Sequence, residues 1–272
     1  MNNRLKKIIY LGSLLLRFKT KVFDRLTNFF NISKFNERNS KSEKEELIIN
    51  KFVPKVLFTS YCCNVDDEII QQILKEWRQL NDDFEVKYFA DEDIDKFFLE
   101  ETKYFDVYSK LKNGVVKADF FRISYLNKFG GYWFDIDLEP FKVIYPKKGK
   151  VHLFDCGFGN ISYMFIGGVK NEIFEETLRN VANRIKQNLP HKLTGVMEIS
   201  GPRVIQSILS KKIGFKLKDQ KFIGRRKSKT FLEGSKYEFV YMRQNNRKVK
   251  SSLYERLQKK YNKLSYDDYD YI

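Results

Sequence analysis

Histidine and cysteine are scarce in this chain. Only His152 and His191 occur, which argues against a histidine-built zinc site. The cysteines are Cys62, Cys63 and Cys156. Neighbouring Cys62 and Cys63 cannot both reach one partner, and no CxxC spacing exists, so neither a disulfide framework nor a thiol redox pair is built. The three read as core filler in a reduced, intracellular setting. Long apolar runs are missing too. Ile8 to Leu16 is well short of the roughly 20 residues that span a bilayer. Arg17, Phe18 and Lys19 follow it, where a signal peptide would place small residues. No internal repeat is visible, which excludes solenoid architectures.

What is present is apolar bulk and positive charge. The chain has 272 residues, 42% hydrophobic and 16% aromatic, enough for one large globular domain with tails. Lys and Arg number 51 against 35 Asp and Glu, a net charge of +16. That excess favours anionic partners: phosphorylated substrates, a membrane surface or nucleic acid. It is concentrated at the two ends. Residues 1–30 carry Arg4, Lys6, Lys7, Arg17, Lys19, Lys21 and Arg25 against Asp24 alone, and residues 205–263 are strongly basic.

Residues 1–30 have the composition of a basic amphipathic segment suited to an anionic membrane surface; docking on the rest of the protein and a short anchor are the other readings. Residues 31–50 read as a polar linker. A domain is expected over 51–263, followed by an acidic, aromatic tail at 264–272. Within the domain, Val56-Leu57-Phe58 marks a buried strand. Asp66 or Asp67 caps a helix to Leu80, with Ile69, Ile73, Leu74 and Trp77 on its buried face. Phe84 to Phe89 is a second strand, and the acids after it suit a helix N-terminus. Further strands are expected over 151–154, 161–168 and 237–242. Helices are expected over 172–189 and from Pro202, with GRRKSKT and QNNRKVK as basic loops. Asp155 and Asn160 fall in a loop that could line a cleft. Alternating strands and helices predict an α/β fold with a mixed, mostly parallel sheet flanked by helices.

The chemistry is concentrated in Lys117–Pro140. Val115 to Lys128 reads as a helix apolar nearly all round, with Asp119 and Arg122 as exceptions on one face. They are either a local ion pair or ligand contacts; a buried helix carries charge reluctantly, which favours the ligand reading. Gly130 and Gly131 end the helix and would let backbone come close to a ligand. A strand follows. Its period of two puts Trp133, Asp135, Asp137 and Glu139 on one face and Tyr132, Phe134, Ile136 and Leu138 on the other. A row of carboxylates on a buried strand needs a cation among them, and a divalent metal answers that need.

Asp119, Arg122, Leu126, Gly130, Gly131, Trp133, Asp135 and Asp137 together resemble the signature of family 32 glycosyltransferases, which carry a DXD sugar-binding region. Val53-Pro54-Lys55, Trp77 with the following NDDFEVKYF, and Gly201-Pro202 extend the likeness over about residues 52–205. The chain departs in having Trp133 where the family has Tyr, Phe58 to Tyr61 in place of a His and Trp, and no His after His191. Asn245 or Asn246 would have to supply the C-terminal metal ligand. The resemblance implies a GT-A type, Rossmann-like nucleotide-sugar-binding fold. It implies retaining transfer of a sugar from a UDP- or GDP-sugar to a glycan, lipid-linked or protein acceptor, with Mn²⁺ or Mg²⁺, as in polysaccharide biosynthesis. Asp137 would be a direct metal ligand and Asp135 a ribose and metal contact. Asp119, Arg122, Gly130, Gly131 and Trp133 would line the donor site. A cytoplasmic protein, peripheral at a membrane through residues 1–30, is expected, with no nucleic-acid partner. The alternatives are a basic nucleic-acid-binding protein and an inactive scaffold of the same fold.

Overall fold

The computed structural model of the protein describes residues 52–62, 65–112, 114–143, 151–155, 161–187, 195–213, 237–241 and 252–261. Segments 1–30 and 31–50, Cys63, Cys156, Asn160, the GRRKSKT and QNNRKVK loops with Asn245 and Asn246, and the tail 264–272 lie outside the described residues, as does the side chain of Asp155.

Six strands form one mixed sheet. They are β1 (Val56–Ser60), β2 (Glu85–Phe89), β3 (Gly131–Phe134), β4 (Val151–Asp155), β5 (Ile161–Gly168) and β6 (Tyr237–Tyr241). Their order across the sheet is β2-β1-β3-β5-β4-β6. Pairing is parallel for β1 with β2 and β3, and for β4 with β6. Only β5 runs against its neighbours. The helices are α1 (Glu68–Leu80), α2 (Asp91–Glu100), α3 (Thr102–Tyr108), α4 (Gly114–Lys128), α5 (Glu172–Lys186), α6 (Val196–Ile199), α7 (Pro202–Ile213) and α8 (Ser252–Tyr261). The expected α/β architecture with a mostly parallel sheet is therefore present. Helices α3, α6 and α8 are additions that the sequence pattern did not announce.

Alternation along the strands sorts side chains into two cores, one on each face of the sheet. Leu57, Tyr132 and Phe134 join the core under α1, with Ile69, Ile70, Ile73, Leu74 and Trp77. Phe58 and Trp133 join the other, with residues of α2 through α7. Trp77 is fully buried and stacks on Phe134, with ring centroids 4.2 Å apart. Leu253 and Leu257 of α8 complete the first core. No helix among the described residues is long and apolar enough to cross a membrane.

Helix α1 starts where β1 ends. Asp67 caps it, accepting from the amides of Ile69 and Ile70 at 2.9 and 3.3 Å, and its other oxygen meets Lys260 of α8. This helix N-terminus, a natural anion site, is thus already answered by a carboxylate. The acids of α2 are structural, as their place in a first turn suggested: Asp93 accepts from the amide of Ala90.

Gly130 and Gly131 have φ of 74° and 106°. They sit at the start of β3, the end opposite Asp135. A Cβ on Gly130 would lie 2.8 Å from the carbonyl oxygen of Gly168, and one on Gly131 2.9 Å from that of Val56. These glycines let the backbone of the neighbouring strands come close. Gly131→Ala should therefore cost about 2–4 kcal/mol, combining backbone strain with a clash against immovable backbone. Gly114→Ala, with nothing within 4 Å, should be neutral or slightly stabilising. Urea unfolding of both variants checks the contrast.

Candidate active site

Two parts of the fold bring the site together. Helix α4 carries Asp119 and Arg122 one turn apart and packs over β3. Strand β3 ends at Phe134 and hands Asp135 to a turn, closed by the Leu138 amide donating to the Asp135 carbonyl at 2.9 Å. The Asp135 amide donates to the carbonyl of Met164 at 2.7 Å, fixing the turn to β5. Asp135 and Asp137 are thus beyond the strand rather than on it, which corrects the expected row of carboxylates on one strand face. Glu139 is exposed, while Asp137 is half-buried. Ile136 and Leu138 still reach the same core as Tyr132 and Phe134. The burial alternation therefore continues beyond the last residue of β3.

Arg122 is the centre of the site. Its guanidinium is 3.3 Å from a carboxylate oxygen of Asp119 and 3.0 Å from Oδ1 of Asp135. It donates to the backbone carbonyls of Tyr163 at 3.0 Å and Ala118 at 3.3 Å. It also lies over the Trp133 ring, 4.4 Å from the centroid. The indole Nε1–H of Trp133 donates to the same Asp135 Oδ1 at 2.7 Å. Asp119 and Arg122 are only 5% and 6% exposed. Cation–π contact, two ion pairs and two carbonyl bonds together offset the cost of burying the guanidinium.

The fifth member is Ser200, which sequence reasoning missed. Its hydroxyl donates to Oδ2 of Asp119 at 2.9 Å, and both residues are buried. Ser200 lies at the turn between α6 and α7, just before Gly201-Pro202. Its only local signal is a small hydroxyl ahead of a helix start. Burial pushes the Asp119 carboxyl up to about 6, against the lowering effects of Arg122 and the Ser200 hydroxyl; the charge of Asp135 adds to the rise. Burial, reinforced by the charge of Asp119, holds the Tyr163 phenol well above its ordinary range.

The structure thus brings Asp119, Arg122, Trp133 and Asp135 together. Asp119 and Trp133 are buried, at 5% and 2% exposure, Asp119 pairing with Arg122 and Trp133 donating to Asp135. Arg122 supplies a cation of the chain's own beside Asp135. Asp135 remains partly exposed, and its Oδ1 takes both Arg122 and Trp133. Asp135 and Asp137 are hard oxygen ligands. Mg²⁺- or Mn²⁺-type ions can be held by one or two carboxylates completed by substrate phosphates and water, so this donor set fits such an ion. Among the described residues no group of three or more His, Cys, Asp or Glu is arranged to hold a metal.

The position is also informative. Asp135 lies at the carboxyl end of β3, beside β1. Here the strand order reverses, running outward from β1 to β2 and returning to β3. Ligands of open α/β sheets bind outside the carboxyl ends of the strands at such a point.

Residues 67–152, less than half of the chain, match the family model of a glycosyltransferase sugar-binding region containing a DXD motif. No curated protein sequence matches the chain. Among solved structures the chain is similar to the PaToxG glycosyltransferase, at 15% identity and a TM-score of 0.45, over 63% of this chain and 76% of that one.

Folding raises the Asp119 carboxyl from 3.8 to about 6, so the native state binds more protons than the unfolded chain across that window. Its contribution to stability is greatest below the window and falls as pH rises through it. Asp119→Asn removes this titration. The stability of the natural protein relative to this variant should fall by on the order of 2–3 kcal/mol from about pH 4 to pH 6.5, then level. Urea unfolding of both proteins across that range measures it; parallel profiles would contradict the burial argument.

Proposed function

We propose that this chain, with its DXD-type sugar-binding region, is a glycosyltransferase that moves a sugar from a UDP- or GDP-sugar to a hydroxyl of a glycan, lipid-linked or protein acceptor. The observation that carries this reading is one partly exposed carboxylate, Asp135, held by a buried arginine at the carboxyl end of β3 where the strand order reverses. Retention at the anomeric carbon and membership of family 32 are what the sequence resemblance implies. The reading takes 51–263 as the catalytic domain and 1–30 as a segment that meets an anionic membrane surface from the cytoplasmic side.

Asp135 and Asp137 are the residues that would hold Mn²⁺ or Mg²⁺. When bound, such an ion neutralises the charge of a leaving diphosphate. The chain's own residues orient the carboxylate. Arg122 fixes the Asp135 carboxylate and offsets part of its charge. Trp133 holds the same oxygen from the sheet side and supports the guanidinium from below. Asp119 balances Arg122 so that the cation stays in place. The basic composition of the chain favours an anionic donor.

Nucleoside diphosphate should be released in a Mn²⁺-dependent way with at least one donor in a panel of UDP- and GDP-sugars. Absence of turnover and of any donor-induced thermal shift across the panel would sink the reading. Two substitutions separate the carboxylates. Asp137→Ala should abolish metal-dependent donor binding with little change in the unfolding midpoint. Asp135→Ala should abolish it and also destabilise the fold by about 2–4 kcal/mol, because Arg122 loses a buried-side partner. Calorimetric donor binding and thermal unfolding read the two effects.

A further inference from the structure

Asp135 is held by groups that never reach the surface, and the last of them comes from a distant part of the chain. The path runs from Ser200 Oγ to Asp119 Oδ2 at 2.9 Å, then from Asp119 to Arg122 at 3.3 Å, and from Arg122 to Asp135 at 3.0 Å. Ser200 is 1% exposed. Its own position is tightly set. The amides of Ser200 and Gly201 both donate to the carbonyl of Val196, at 3.0 and 2.9 Å. A Cβ on Gly201 would come within 2.7 Å of the Met197 Cα. Arg184 of α5 donates to the backbone carbonyl of Glu198, and Arg203 of α7 pairs with the Glu198 carboxylate. The turn is clamped on both sides, so the hydroxyl is delivered to Asp119 from a fixed support.

Without that hydroxyl, Asp119 would be a buried carboxylate with Arg122 as its only partner. It would then either draw the guanidinium toward itself or take up a proton and release it. Either change alters how Arg122 meets Asp135. We propose that Ser200 is a positioning residue for the sugar-transfer site, acting through Asp119 and Arg122 on the Asp135 carboxylate; this rests on the glycosyltransferase reading. The coupling joins the turn that opens α7 to the partly exposed carboxylate. Supporting groups of this kind around a metal-binding carboxylate are typically worth roughly 10–100-fold in affinity or activity.

The test exploits the presence of only two tryptophans, Trp77 and Trp133. The Trp133 indole N–H donates to Asp135, so its proton–nitrogen NMR resonance reports on that carboxylate. Trp133→Phe assigns it, and Trp77, in the opposite core, serves as the internal control. In the full chain, Ser200→Ala should move the Trp133 resonance, leave that of Trp77 in place and lower kcat by roughly 10–100-fold with the donor found by the panel. Ser200→Thr, which keeps the hydroxyl, should restore both the resonance and kcat. An unmoved Trp133 resonance in folded Ser200→Ala would overturn the proposal, as would a loss of kcat that Ser200→Thr does not rescue. If Ser200→Ala does not fold, Ser200→Cys takes its place with the same expected shift and the same overturning outcome. The indole measurement needs no sugar. Absence of turnover in the natural protein would therefore defeat the glycosyltransferase reading while the Trp133 resonance still decides the role of Ser200.

Discussion

A guanidinium buried to 6% exposure must be neutralised where it lies, and the site follows from how this is done at Arg122. Its partners come from α4, from β5 through the carbonyl of Tyr163, from β3 through the Trp133 ring, and from the turn after β3 through Asp135. The contacts beyond α4 tie β5, β3 and the turn after β3 to it. Removing one would leave charge without compensation in the interior, which is far more costly than losing a surface ion pair. The order of the site is therefore inherited from the solution to a burial problem.

That solution leaves an electrostatic remainder. Asp119 and Asp135 offer two carboxylates to a single guanidinium, and Asp137 adds a third charge close in sequence. Asp119 sits deepest, where burial pushes it up to about 6 despite its two partners. The field around Asp135 is thus set by two carboxylates sharing one guanidinium, within a chain that is basic as a whole.

Much of this was legible in the sequence. Alternation in Tyr132 to Phe134 placed the two cores correctly, Asp67 announced the start of α1, and the three-residue spacing of Asp119 and Arg122 put them on one face. The pattern misleads where burial alternation runs on past the end of β3 into the turn at Asp135. Ile136 and Leu138 keep the burial pattern of a strand, so nothing in the pattern reveals that Asp135 opens a turn. Gly130 and Gly131 pose a similar ambiguity. A glycine makes room without naming what fills it, and here neighbouring backbone does. Ser200 was beyond reach for another reason: its contact with Asp119 spans 81 positions, and a single hydroxyl carries no periodicity. Helix α8 escaped because Leu253 and Leu257, which pack in the core, are scattered among basic residues in the sequence.

Trp133 shows why support and exposure are divided as they are. Its ring accepts the Arg122 cation on its face while its N–H donates to Asp135, the anion paired with that cation. One side chain thus stabilises both partners of an ion pair, from beneath, using two different parts of the same ring. Phenylalanine would keep the face and lose the donor. Tyrosine would carry its donor at the far tip of the ring rather than on the flank. Asp135 stays partly open while Arg122 and Trp133 fix its orientation from the interior. A carboxylate oriented in advance loses little freedom when it takes up a ligand, which is the physical advantage of placing Arg122, Asp119 and Ser200 in the interior.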